Sequence, residues 1–97
     1  MRLQLLRKPV DETEFRHILD RNKVKRIAIF GSYATGKVNK SSDVDFLVEF
    51  EKGADLLDQV GLKLDLQDLL ERKVDVVTPA SLSIYLRDRI LDQAIYL

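Results

Sequence analysis

The sequence predicts one α/β domain, close to the α+β border: a small mixed sheet of about three or more strands with helices packed on one face. Three observations carry that expectation. The pattern switches between apolar runs of strand length and leucines at helical spacing, in the order helix, strand, turn, strand, helix, strand, helix. At 97 residues the chain suits a single domain, 1–97, and has no room for a second. With 45% hydrophobic and 33% charged residues it reads as globular rather than disordered, able to bury roughly two-thirds of its unfolded surface.

Taken in order, Pro9 followed by VDETEFRHILDRN predicts the first helix, capped by Asp11 or Thr13, with acids in its first turn and Val10, Phe15, Ile18 and Leu19 close to one face. VKRIAIFGS is a β-branched strand stopped by Gly31. Ser32 to Thr35 predicts a short helical turn, and GKVNKSS a loop. DVDFLVEF, from Asp43, is the second strand, broken by Gly53. ADLLDQVGLKLDLQDLLERK places Leu56, Val60, Leu64, Leu66, Leu69 and Leu70 at helical spacing and reads as a core helix, which Gly61 weakens in the middle enough to allow a kink or loop. KVDVVTP is a third strand ended by Pro79, and SLSIYLRDRILDQAIYL closes the chain as one or two helical segments with Leu82, Leu86, Ile90 and Ala94 on one side. No repeat or linker interrupts this order.

Charge and composition exclude several functions. Sixteen basic and sixteen acidic residues cancel, so the overall field that draws proteins onto nucleic acid is missing, and binding of DNA or RNA by this domain alone is not expected. The absence of cysteine removes disulfide frameworks and thiolate metal sites. The opening MRLQLLRKPV carries charge too early for a signal peptide, and no stretch is long enough to span a bilayer, so a cytoplasmic location is expected.

The stretch FGSYATGKVNKSSDVDFLV raises the functional question, because Asp43 and Asp45 stand inside what otherwise reads as a buried strand. Alternation along a strand puts both on one face, about 6.6 Å apart at Cα, with Val44, Phe46 and Val48 on the other. The same reading of KVDVV puts Asp75 on one face with Lys73 and Val77. If the second and third strands are neighbours, three carboxylates can converge. At about 5 Å they repel by roughly 3 kcal/mol per pair at an effective dielectric of 20. Such a cluster suits a divalent cation with oxygen ligands, magnesium or manganese. Gly31-Ser32 at the end of the first strand lets the backbone approach a phosphate. Singly, Gly-Ser is most often a turn and Asp-x-Asp a solvated face. The conjunction, on three successive strands, assembles the parts of nucleotidyl transfer.

FGSYATGKVNKSSDVDFLVEF, with Gly-Ser, ten residues and then Asp-x-Asp, resembles the signature of the DNA polymerase β-type nucleotidyltransferase superfamily. The short chain, Ser42-Asp43, the VDVVTP ending and LRDRILDQAIYL are similar to its minimal nucleotidyltransferases, the MNT or MntA-like antitoxins, over nearly the whole length. The resemblance implies that Gly31 and Ser32 hold the triphosphate of ATP. It also implies that Asp43 and Asp45 bind two metal ions, and that Asp75 is the third metal-site carboxylate and the base toward the acceptor hydroxyl. Many relatives are basic where Thr35 stands, a contact that Lys37 or Lys40 would have to supply. As partner it implies a HEPN-domain ribonuclease toxin, neutralised in a type VII-like toxin–antitoxin pair by AMP transfer to a tyrosine, within a homo- or hetero-oligomer.

Two other readings stand beside this: an antitoxin acting by binding alone, with a vestigial site, and a small-molecule nucleotidyltransferase. The complete set of aspartates and Gly-Ser opposes the first, and the absence of a second domain opposes the second. His17 reads as a surface histidine, Tyr33 as a gap-filler or a base-stacking ring, and Arg87 and Arg89 as a solvated helix face.

Overall fold

Four runs pair into a single mixed sheet: β1 (Val24–Phe30), β2 (Val44–Phe50), β3 (Val74–Val77) and β4 (Ile95–Tyr96), in the order β3-β2-β1-β4. The computed structural model describes residues 1–97. β1 runs antiparallel to both β2 and β4, while β2 and β3 are parallel. A parallel pair needs a crossover, and α3 (Leu56–Leu70) supplies it. α1 (Glu12–Arg21) precedes the sheet, the single-turn α2 (Ser32–Thr35) follows β1, and α4 (Ile84–Gln93) precedes β4. Short 3-10 turns lie at Leu3–Leu6 and Pro79–Ser81. No helix is long and apolar enough to cross a membrane.

The inward face of the sheet carries Ile27, Ile29, Val44, Phe46, Val48, Val74 and Val76. It packs in one cluster with Phe15, Ile18 and Leu19 of α1 and Leu62, Leu66 and Leu70 of α3. Each such side chain contributes about 1.5–3 kcal/mol by leaving water. The starts of α1 and α3 are fixed by acids. The Asp11 carboxylate accepts the Glu14 N–H at 3.1 Å, which settles the cap of α1 in favour of Asp11. Asp55 and Asp58 form a reciprocal capping box at α3, at 3.1 and 3.0 Å.

Several expectations are corrected. α3 runs unbroken through Gly61. A Cβ there would lie 2.7 Å from the Asn22 Oδ1, so the glycine is a close-approach device rather than a kink. Asn22, 7% exposed, donates its Nδ2 to the Ile18 carbonyl at 2.8 Å and to Asp65 at 2.9 Å, tying the end of α1 to α3. Nor is the whole leucine set core. Leu62, Leu66 and Leu70 face the sheet, whereas Leu56, Leu57, Val60 and Leu64 remain 71%, 79%, 46% and 56% exposed. Two apolar stripes each satisfy helical spacing, and only the inward one has a sheet to meet. The closing segment is not helical to its end: Ile95–Tyr96 leaves α4 to pair with Ala28 and Ile29 as an edge strand. Asp43 stands one residue before β2, whose first residue is Val44.

Candidate active site

The register of the sheet builds the site. Asp45, in β2, faces Phe30 of β1 on one side and Asp75 of β3 on the other. The parallel ladder begins just before it, where Val44 N–H donates to the Lys73 carbonyl at 3.0 Å. Adjacent strands lie about 4.8 Å apart, so Asp45 and Asp75 are cross-strand neighbours. Asp43 follows the same alternation and shares their face. The core occupies the opposite face through Val44, Phe46, Val74 and Val76.

Electrostatics records this crowding. The Asp45 carboxyl is raised above the ordinary 3.8, first by burial, then by the charges of Asp75 and Asp43. Asp75 is exposed and Asp43 partly so. The carboxylates do not close on one point as an all-protein metal cage. Magnesium is commonly held by one or two carboxylates together with substrate phosphate oxygens, so an open arrangement on one face fits such an ion.

Gly31 follows β1 with φ 71° and ψ −147°, a conformation open essentially to glycine alone. A Cβ at this position would collide with the Asp45 Oδ2. Its carbonyl accepts from the Ala34 and Thr35 amides, both at 3.0 Å, and from the Thr35 hydroxyl at 3.2 Å. Its N–H donates to Oε1 of Gln93 at 2.7 Å. Ser32 opens α2 beside it, partly exposed. Gly36, at φ 82°, ends that turn. The loop back to β2 is held by Asn39, which accepts from the Ser41 amide and hydroxyl and donates its N–H to the Ser42 hydroxyl, each at 2.9 Å.

The remaining residues singled out in the sequence separate cleanly. Tyr33 is buried at 3% exposure in the core, its hydroxyl without a partner, so it fills a gap and is not available for base stacking. Lys40 lines a polar cleft of about 250 Å³ with Asp43, Ser42, Glu71, Arg72 and Lys73, whereas Thr35 turns its hydroxyl back to Gly31. His17, Arg87 and Arg89 are exposed on helices. A more enclosed cleft of about 320 Å³ lies at the far end of β1, between Met1, Arg16, Lys25 and Tyr96, away from the carboxylates. At that end Arg26 stacks on Tyr96 at 4.1 Å and pairs with Glu49 at 3.3 Å. The carboxylate face itself is an open shelf. Gln93 was not legible as a site residue, since nothing in helical periodicity marks a glutamine as reaching back to β1.

The family description "Nucleotidyltransferase domain" matches residues 12–97. A Methanocaldococcus jannaschii protein provisionally named a protein adenylyltransferase is 49% identical over 80% of this chain and 84% of its own. The protein adenylyltransferase MntA of Thermococcus cleftensis is 36% identical over 84% of this chain and 82% of its own. Among solved structures, one provisionally described as a minimal nucleotidyltransferase superposes with TM-score 0.77 at 41% identity, covering 89% of this chain and 87% of that one. A toxin–antitoxin structure with AMP-PNP gives TM-score 0.71 at 28% identity, over 90% and 72%. A tri-AMPylated Shewanella oneidensis HEPN toxin in complex with MNT antitoxin gives 0.62 at 26%, over 88% and 66%. The Gly-Ser turn, the paired aspartate strands and these likenesses agree: this chain belongs to the nucleotidyltransferase-domain family, as a minimal, MntA-like nucleotidyltransferase of polymerase β-like fold.

Proposed function

We propose that this chain transfers AMP from ATP to a hydroxyl, a tyrosine, of a partner HEPN ribonuclease toxin, and so acts in the cytoplasm as the antitoxin of that pair. The observation that carries the reading is the rung on which Asp45 meets Asp75, with Gly31 against the Asp45 carboxylate. Likeness to MntA and to an MNT antitoxin seated with an AMPylated HEPN toxin supports the choice of acceptor.

In this reading Asp43 and Asp45 would hold Mg2+, with Asp75 completing the set. The ion supplies charge stabilisation for the phosphates and the leaving group. Ser32 and the Gly31 turn hold the triphosphate against this face. Asp75 is exposed, within reach of the proton of an acceptor hydroxyl brought in from outside. The acceptor oxygen bonds to the α-phosphorus, the bond from that phosphorus to the α–β bridging oxygen breaks, and pyrophosphate leaves. The exposed position of Asp75 on this face supports a macromolecular acceptor that brings its own surface to it.

Mass spectrometry of the co-expressed partner tests this. Wild type is expected to add AMP units, while Asp75→Asn adds none yet still binds ATP with Mg2+. Neutralisation of the toxin by both forms with no added mass would establish the binding-only antitoxin instead.

A further inference from the structure

We propose that Gln93 is a positioning residue for nucleotide binding: its side chain fixes the Gly31 peptide, and Gly31 in turn seats the Asp45 carboxylate. The inference rests on the nucleotidyl-transfer reading and assigns a new residue to it.

The β1–β4 ladder explains why a glutamine stands there. Ala28 pairs with Tyr96 and Ile29 with Ile95, so continuing the antiparallel register sets Phe30 opposite Ala94 and Gly31 opposite Gln93. At that rung the chain is still helical, Gln93 being the last residue of α4, whose turn closes where Ala94 N–H donates to the Ile90 carbonyl at 2.9 Å. The Gln93 side chain takes the place of the missing ladder acceptor, receiving the Gly31 N–H at 2.7 Å. Gly31 is thereby pinned at both ends, its amide by Gln93 and its carbonyl by the Ala34 and Thr35 donors of α2. Between these anchors lie a positive φ of 71° and a Cα too close to Asp45 for any side chain. Without Gln93 the Gly31 amide loses its acceptor in a half-buried setting, and the peptide before it is free to rotate. The bond to Gln93 also occupies that N–H, leaving Ser32 as the group of the Gly-Ser pair free to meet phosphate.

The test compares wild type, Gln93→Met, which keeps length and removes the acceptor, and Gln93→Glu, which keeps an acceptor oxygen at the same reach. Three readouts are needed: the Gly31 amide resonance and its exchange in nucleotide-free protein, the melting midpoint, and titration with AMP-PNP in Mg2+. In Gln93→Met the Gly31 amide should shift and lose exchange protection, nucleotide affinity should fall about fivefold to tenfold, and the midpoint should drop by about 4–8 °C. Gln93→Glu should restore all three. Unchanged affinity in Gln93→Met overturns the proposal. So does tighter binding, which would make Gln93 a competitor for the cradle, and so does an equal loss in Gln93→Glu. A wild-type chain that binds no nucleotide removes the reading beneath the proposal. A Gly31 amide unmoved in Gln93→Met removes the contact itself, whatever the nucleotide does.

Discussion

Replacing Gly31 by alanine separates two physical costs that coincide at this position. The first is conformational. At φ 71° and ψ −147° an L-residue is strained by about 1–3 kcal/mol. Taking about 2 kcal/mol, a domain of this size should melt roughly 8–16 °C lower. The second is the collision of the new Cβ with the Asp45 Oδ2. Asp45 is locked into β2 between β1 and β3, so relief comes by rotating its carboxylate rather than moving its backbone. A displacement on the order of 1 Å in a positioning group costs about a hundredfold in function. Gly36 provides the control. It has φ 82°, but nothing lies within 4 Å of a Cβ built on it. Gly36→Ala therefore bears left-handed strain alone, about 1–2 kcal/mol, and leaves the carboxylates in place. Melting curves and Mg2+-dependent ATP titration on both variants make the comparison. Gly31→Ala should lose nucleotide binding far beyond its loss of stability, and Gly36→Ala should lose stability only. Equal nucleotide affinities in the two variants would refute the contact argument.

Gly61→Ala gains about 1 kcal/mol of helix propensity but drives a Cβ to 2.7 Å from the pinned Asn22 Oδ1, so its midpoint should fall rather than rise; a rise would show that Asn22 yields freely. Leu62→Ala should cost about 2–5 kcal/mol in denaturant unfolding, whereas Leu64→Lys, on the exposed stripe of the same helix, should stay within about 0.5 kcal/mol of wild type. Asp45 is raised by burial and by Asp75 and Asp43, so its stabilising contribution is full below the ordinary 3.8 and is lost as pH rises through the raised folded value. In chelator Asp45→Asn should therefore gain on wild type as pH rises through that window, and saturating Mg2+ should reverse the order. A flat difference between the two forms across acid and neutral pH would contradict this. Asp58 and Asp65 run the other way. Asp58 is lowered chiefly by the Asp55 backbone N–H, and Asp65 is lowered on balance by Asn22 and Arg21 despite burial, so both contributions fade at acid pH in either form.

The parts of this fold that a sequence shows best are those whose cause is local. β1 is a β-branched run closed by glycine, β2 an alternating apolar run with Gly53 soon after it, and α1 carries its own cap in Asp11. The face shared by Asp43, Asp45 and Asp75 follows from alternation once β2 and β3 are neighbours, which their short crossover makes the simplest topology. What stayed hidden depends on tertiary neighbours. Leucine spacing in α3 is met by two stripes, and the choice between them lies with the sheet, not the helix. Gly61 carries a helix-breaking propensity overridden by a contact with Asn22, thirty-nine residues away. Ile95-Tyr96 is too short to show a strand period and becomes one because β1 offers an open edge. Gln93 belongs to the same class, since its meaning comes from standing opposite Gly31 at the last residue of α4. The carboxylates are written in the motif. The geometry that holds them is distributed to the last five residues of the chain, and a search confined to the motif would leave out the group that fixes its glycine.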